Sequence, residues 1–450
     1  MIYNLANQLI TDNLKEYKKQ LARERRAVLT KMLDYYQGDN VDQYLKDRFK
    51  AEVFQEIPPV TFNVTKRFIE RLSRIYTLGA NRTLSSKQNE YESLTKIKAF
   101  KFKHLERMTR LLGTLATEIC WDTTYPDSPK FTYNPIYYFD VHLDPNDPFT
   151  PIAIEYPMLN MVQDPTFVEP TQYCYYDAEK KIIMDENGKV IEEYENPYGV
   201  LPFVFTHRDH PIDEFFTAPA MDICVANEAV NILMTELALG CRFACFPTMV
   251  CTGIYQDENV QRGGSDEIII LPEGANMTSL SPDVNVNEGL KLVRSILELV
   301  ASNNHLTISF EENHSDRPQS GVALKIRDLE RHEDYQDDLE LWELYEQKFY
   351  EIERVIAGFN GVNLPNTMGV NFNEPEFPQA TQDEILMNTF MLENNLTTHA
   401  KLLQKYNKDL TLEQAQAIID ENKEANGAGK EQQQRLFNRL GQGVAATKQG

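Results

Sequence analysis

Apolar positions recur at threes and fours through most of the first 130 residues, a period that predicts a mainly helical region. Between Asn13 and Gln37, Leu14, Tyr17, Leu21, Val28, Met32 and Tyr35 share one helical face, and Gly38 supplies a C-cap. Pro58-Pro59 interrupts the next segment. A second helix is expected from Val64 to Tyr76, closed by Gly79, and a third apolar stretch covers Met108 to Trp121. From Phe131 the pattern changes to short runs of Tyr, Phe, Ile and Val punctuated by Pro and Asp. Asn187-Gly188, between KIIM and KVIEEY, is a hairpin turn signal, and a β-rich insert is expected over about 131–207.

Helix returns over 213–241, with Ile223, Ala226, Val230, Leu233 and Leu237 at spacings of three and four. Strand and turn follow from 246 to 285: TMVCTGIY, the Gly263-Gly264 break, then EIIILP. Leu290, Val293, Ile296, Leu297 and Val300 line one face of a helix from Asn287 to Asn303. The polar loop TISFEENHSDRPQS separates it from a long helix, Gly321 to Ile356, of roughly 50 Å at 1.5 Å per residue. One face of that helix is acidic, and its length suggests an extended assembly. A Pro- and Asn-rich linker after Asn360 leads to short helices at 381–394, 397–406 and 411–425, then to a flexible tail. No repeat of 20–50 residues is visible.

The 450 residues, 42% hydrophobic, suffice for one large core or two to three modest ones. Charge changes the picture more. With 68 acidic against 45 basic residues the chain stands at −23, which excludes a tight wrapper of duplex DNA. It leaves open a wall along which DNA slides without being gripped. The N-terminus has no apolar run of signal-peptide length. No stretch of about 20 apolar residues spans a bilayer. The window Ala229 to Val250 is interrupted by Glu236 and Arg242 and reads as a buried helix leading into a strand. A soluble, intracellular protein is expected, with no membrane partner. The six cysteines read as buried reduced thiols, because Cys241, Cys245 and Cys251 lack a CxxC pair or a His at zinc spacing.

Candidate chemistry is sparse. HRDH at 207–210 matches three letters of a kinase catalytic loop, without a glycine-rich loop before it or DFG after it. His142 and Asp144 lie among Asp-Pro turn formers rather than in a metal site. GxxxxGK[ST], HExxH, GxSxG and CxxC are all absent from the sequence. Asp337-Asp338 reads as a solvated helix face or as the partner of a basic neighbour. A non-enzyme without metal or cofactor is expected.

The order of these elements resembles the tailed-bacteriophage portal family. LDYYQGDN at 33–40 is similar to that family's tyrosine–glycine motif, and FNVTKRFIERLSRIYTLGAN at 62–81 to its asparagine–helix–glycine segment. YGVLPFVFTHRD at 198–209 resembles the strand before the stem. Gln319 to Lys325, QSGVALK, resembles the passage from tunnel loop to long helix, and 394–422 resembles the crown helices. The likeness spans about residues 30–425 and says least over 82–130. It implies an α+β portal fold in a ring of about twelve copies. The implied parts are a mainly helical wing (1–212, with the β-rich insert), stem helices at 213–243 and 287–305, and a clip at 246–286. They continue with a tunnel loop at 306–320, a long wing helix and linker at 321–375, a crown at 376–426 and a tail at 427–450. It further implies that Asn313, His314, Ser315, Asp316 and Arg317 meet double-stranded DNA transiently in the channel. Ile268, Ile269, Ile270 and Leu271 would belong to the docking clip. The implied partners are further copies of the chain, the terminase large subunit, a head–tail adaptor, the major capsid protein and the scaffold. The implied location is the virion, and the host cytoplasm during assembly. A different head–tail connector and a nucleic-acid-processing enzyme are the alternatives; the first is usually much shorter, and the second needs a clustered constellation this chain lacks.

Overall fold

The computed structural model describes residues 22–124, 129–158, 172–185, 187–245, 248–252, 274, 276–280, 285–306, 329–373, 381–407 and 411–423. Helix and sheet are mixed, as an α+β chain requires. Two compact units are present: Met1–His314 with Asp328–Pro375, and Ser315–Arg327 with Glu376–Gly450.

The first unit opens with α1 (22–37), which Gly38 ends at φ 86° while its N–H bonds the Asp34 carbonyl at 2.7 Å. α2 (Val41–Lys46) and α3 (Val53–Glu56) follow. The single helix expected from Val64 to Tyr76 is two helices, α4 (Val64–Leu72) and α5 (Ile75–Leu78). The break has a tertiary cause. The buried Glu106 carboxylate accepts the Ile75 and Tyr76 N–H groups at 2.9 and 3.0 Å, satisfying first-turn donors of a fresh helix.

β1 (Ala80–Leu84), α6 (Gln88–Leu94) and α7 (Lys98–Leu112) come next. The apolar stretch Met108–Trp121 is not one helix. α7 stops at Gly113, whose φ of 82° favours glycine and where a Cβ would lie 2.3 Å from the Thr217 carbonyl oxygen. The chain then runs straight into β2 (Thr114–Asp122).

β2 is the middle of a three-stranded antiparallel sheet, between β3 (Lys130–Ile136) and β9 (Phe203–His207). Five further strands form a meander: β4 (Asp140–Asp144), β5 (Asp147–Pro157), β6 (Gln172–Asp177), β7 (Lys180–Asp185) and β8 (Val190–Glu195). The β7–β8 turn carries Gly188 at φ 79°, where the Asn-Gly pair predicted it. Phe139, Ile154, Cys174, Phe203, Phe205 and Phe215 form a small core between the two sheets.

After β9 come α8 (Met221–Cys245), β10 (Thr248–Thr252), β11 (Asn276–Leu280), α9 (Val286–Asn303), α10 (Leu329–Phe359) and β12 (Met368–Phe372). β12 lies where a linker was expected. It pairs antiparallel with β1, register Leu84↔Met368 to Ala80↔Phe372, so the chain after the long helix returns to the N-terminal region.

The large core binds α10 to α7, β1 and β3 through a buried ion cluster. Lys98 Nζ lies 2.8 Å from Glu353 and 3.2 Å from Glu346, and Arg82 bonds Glu346. Tyr76 donates to Glu346 at 2.7 Å, and Tyr91 and Tyr133 donate to Glu353 at 2.9 and 2.6 Å. Burial pushes the Glu346 carboxyl up, but the Lys98 and Arg82 charges and the bonds from Arg82 and Tyr76 outweigh it and hold it at about 2.

The described part of the second unit is helical: α11 (Thr381–Glu393), α12 (His399–Tyr406) and α13 (412–423). Thr398 caps α12 by accepting the Lys401 N–H. Ile385, Leu386, Met387 and Phe390 on α11 are exposed.

Candidate functional site

α8 and α9 pack as an antiparallel hairpin whose far end is the β10–β11 pair, registered Thr248↔Leu280 to Thr252↔Asn276. The helices approach closely because α9 carries Gly289. A Cβ there would fall 2.4 Å from Leu237 Cδ2.

The base of the hairpin is fixed by polar groups. Asn227, Asn231 and Thr235 stand four apart on the buried face of α8. Thr235 Oγ1 accepts the Val60 N–H at 3.1 Å, and Asn231 Oδ1 accepts that of Phe62 at 2.8 Å. Asn227 Oδ1 accepts those of Val64 and Thr65 at 2.6 and 3.3 Å. The periods match: four helical residues rise about 6.0 Å and two extended residues about 6.6 Å. One turn of α8 therefore meets every second N–H of the segment after Pro58-Pro59. Glu228, beside them, accepts from Lys31 at 2.7 Å and from Arg48 at 3.2 Å. Where α9 ends, Asn304 donates to Asp222 at 2.9 Å. The sequence reading followed only the apolar positions of α8 and missed this ladder; Asn, Asn and Thr at i, i+4 and i+8 in an apolar helix were its visible signal.

The distal half differs. No residue from Glu236 to Cys245, nor from Asn285 to Leu292, is buried. Apolar side chains stand in solvent there, Phe243 at 40% and Leu292 at 51%, and the exposed lines continue toward the base with Val225 at 54% and Leu299 at 65%. Val225 and Phe243, eighteen residues apart, lie on one line of α8, and Leu292 and Leu299, seven apart, on one line of α9. By length and composition α8 can cross a bilayer, contrary to the reading of its apolar window, with 44% of that span buried. Its buried Asn227, Glu228, Asn231 and Thr235 are bonded to protein and not placed toward lipid.

The residues proposed from sequence fall elsewhere. Asn313, His314, Ser315, Asp316 and Arg317, Ile268, Ile269, Ile270 and Leu271, and the tail 427–450 all lie outside the described residues. His207 of HRDH is buried at the end of β9, with its ring 3.1 Å from Thr114 Oγ1 and its N–H on Tyr345 Oη. Burial first, then Lys348 and His210, lower it to about 4. Arg208 pairs with its neighbour Asp209 at 2.8 Å. His142 is exposed, 3.8 Å from Glu155. Among the described residues no three His, Cys, Asp or Glu side chains gather as a metal site. Cys174 and Cys224 are buried free thiols; Cys241 is only half-buried and Cys245 is exposed, against the expectation of burial for that cluster.

No protein-family model matches the chain, and no curated protein matches it. Among matching solved structures is a chain from the neck of an empty GTA particle computed with C6 symmetry. It is 12% identical, with a TM-score of 0.36, and the match covers 75% of this chain and 88% of that one. At that TM-score the likeness carries no inference.

Proposed function

We propose that this chain is a ring-forming portal subunit of a tailed bacteriophage, a non-enzymatic conduit for double-stranded DNA into and out of the capsid. The observation that carries the reading is the distal half of the α8–α9 hairpin, where two long apolar helices bury no side chain fully. A helix pair in that state lacks a core of its own and needs neighbours to cover it. Copies arranged head to tail supply such cover all round a closed ring. The resemblance in element order adds the rest: a hairpin with a β tip, entered from the strand at 203–207 and followed by the long helix. In this reading the β tip meets the terminase large subunit and later a head–tail adaptor, while capsid protein and scaffold meet the wing. An acidic chain leaves the DNA free to slide.

Negative-stain microscopy of the purified protein tests the proposal. Rings with a central hole are expected, at many times the 52.0 kDa of one chain. Monomers at micromolar concentration and physiological salt would remove the reading. Purified protein is expected to hydrolyse neither ATP nor DNA; turnover that follows the protein peak through re-purification would overturn the non-enzymatic part.

A further inference from the structure

One segment runs against the charge of the chain as a whole. From Val64 to Leu112 the sequence carries twelve Lys and Arg against four Glu and no Asp, in a chain of net charge −23. Three of those cations are used inside: Arg82 and Lys98 in the buried cluster, and Arg110 on Asp338. Six of the others lie on α4 and α7. Lys66, Arg67 and Arg71 are exposed on α4, and Lys101, Lys103 and Arg107 are half-exposed on α7. The Arg107–Glu70 ion pair, 3.1 Å, joins the two helices. The local field reaches His104: burial first, then the Lys101 and Arg107 charges, hold its imidazole below its ordinary value.

α10 carries the opposite sign. Glu333, Asp337, Glu340 and Glu343 are exposed on it, over about 15 Å of helix. The two surfaces face away from each other. α7 meets α10 through Lys98–Glu346, Phe102–Phe349 and Arg110–Asp338, so its remaining cations point off α10. α10 turns Tyr335, Trp342, Phe349 and Glu353 inward, so its exposed acids point off α7. Opposite charge on opposite flanks gives identical subunits two complementary surfaces for a head-to-tail contact.

We propose that the basic face of α4 and α7 docks on the acidic face of α10 of a second copy of this chain. The inference rests on the ring reading and names the contact that sets its direction. A polyanion such as DNA is the competing occupant of a cationic face, and the experiment below separates the two.

Charge exchange tests it. Arg67→Glu with Lys101→Glu and Lys103→Glu forms one variant, and Glu333→Lys with Asp337→Lys and Glu340→Lys the other. Each alone is expected to raise the protein concentration needed for half assembly by on the order of tenfold or more, read by mass photometry. Mixed in equal amounts, the two variants are complementary at every contact of an alternating ring and clash only beside their own kind; combining both sets in one chain restores every pairing in any order and should restore rings. Circular dichroism of each variant checks the fold. Wild-type rings should also loosen at about 1 M salt, where screening shortens to about 3 Å. Wild-type protein without rings sinks both the ring reading and this inference. Wild-type rings with folded variants that assemble equally well sink this inference alone. So does a failure of the combined chain to recover while its fold is intact. Loss of duplex DNA binding in the first variant, with assembly unchanged, would assign the basic face to nucleic acid instead.

Discussion

The ion cluster under α10 and the distal α8–α9 hairpin are both rich in long helix, and they are finished in opposite ways. In the cluster, two cations and two carboxylates are sealed from water and matched in charge, with three tyrosine hydroxyls bonding the carboxylates. Every group there has its partner within the same chain. In the hairpin, the bonded polar groups stop at Thr235, and beyond it apolar side chains meet solvent. The first region specifies how one chain folds. The second is unfinished in one chain, and a partner copy completes it in the proposed ring. The comparison separates residues whose loss shows in folding from residues whose loss shows in assembly.

The largest folding effect is expected at Lys98. Lys98→Met removes one charge of a sealed, balanced set and leaves Glu353 facing Glu346 without it. Breaking a buried pair from one side costs about 3–5 kcal/mol. Urea denaturation should show that loss; a change under about 1 kcal/mol would mean that water or rearrangement replaces the lysine.

Next comes pH. Burial lifts Glu106 to about 7, against the two N–H bonds it accepts from Tyr76 and Ile75. A raised carboxyl contributes stability that is complete below the unfolded value of 4.5 and is lost as pH rises through about 7. The span corresponds to roughly 3 kcal/mol. Asp338, lifted to about 6 by burial against the Arg110 charge, adds in the same direction. Glu346 has the opposite sign: its stabilisation is present above 4.5 and fades as pH falls through about 2. Stability should therefore fall between about pH 4 and 7, and Glu106→Gln should flatten that slope. An unchanged slope in Glu106→Gln would reject the assignment to Glu106.

A smaller effect is expected at the hinge between the two regions. Asn227→Ala strips two backbone N–H groups at the start of α4 of their acceptor, a loss of about 1–3 kcal/mol. The hairpin would keep its helices and lose its seat, so hydrogen exchange should quicken at Val64 and Thr65 before it does elsewhere. Uniform quickening would argue that the ladder is not what seats α8.

Much of the fold was legible in local pattern. The hairpin at Asn187-Gly188, the helices α8 and α9 and the short C-terminal helices follow from turn chemistry and apolar spacing. What escaped depended on distant partners. β12 is five residues long and exists through pairing with β1, far upstream. The split of α4 from α5 needs Glu106, which no window around Ser73 contains. β2 shares its apolar character with the end of α7, and the change of period turns on Gly113 alone. The candidate site was half legible: the apolar faces of α8 and α9 announced themselves, while the Asn227–Asn231–Thr235 spacing showed a polar line but not its partners, which are backbone N–H groups with no side-chain signature.

The smallest folding effect is expected on the exposed apolar line of α9. Leu299 and Leu292 sit one above the other with more than half their surface in water. Leu292→Ser with Leu299→Ser removes little that the single chain has buried, so its unfolding free energy in urea should stay within about 0.5 kcal/mol per substitution of wild type. Helix propensity works slightly against serine, which sets the sign of that small change. In a ring the same two side chains would lie against a neighbour, where a buried apolar anchor is worth about 1 kcal/mol or more per contact. Every subunit repeats the loss, so assembly should fail at concentrations where wild type is fully assembled. Mass photometry and denaturation on the same preparation separate the two outcomes. A double variant that folds and assembles like wild type would mean that this face of α9 turns to solvent or to the channel, and that another line of the hairpin carries the contact.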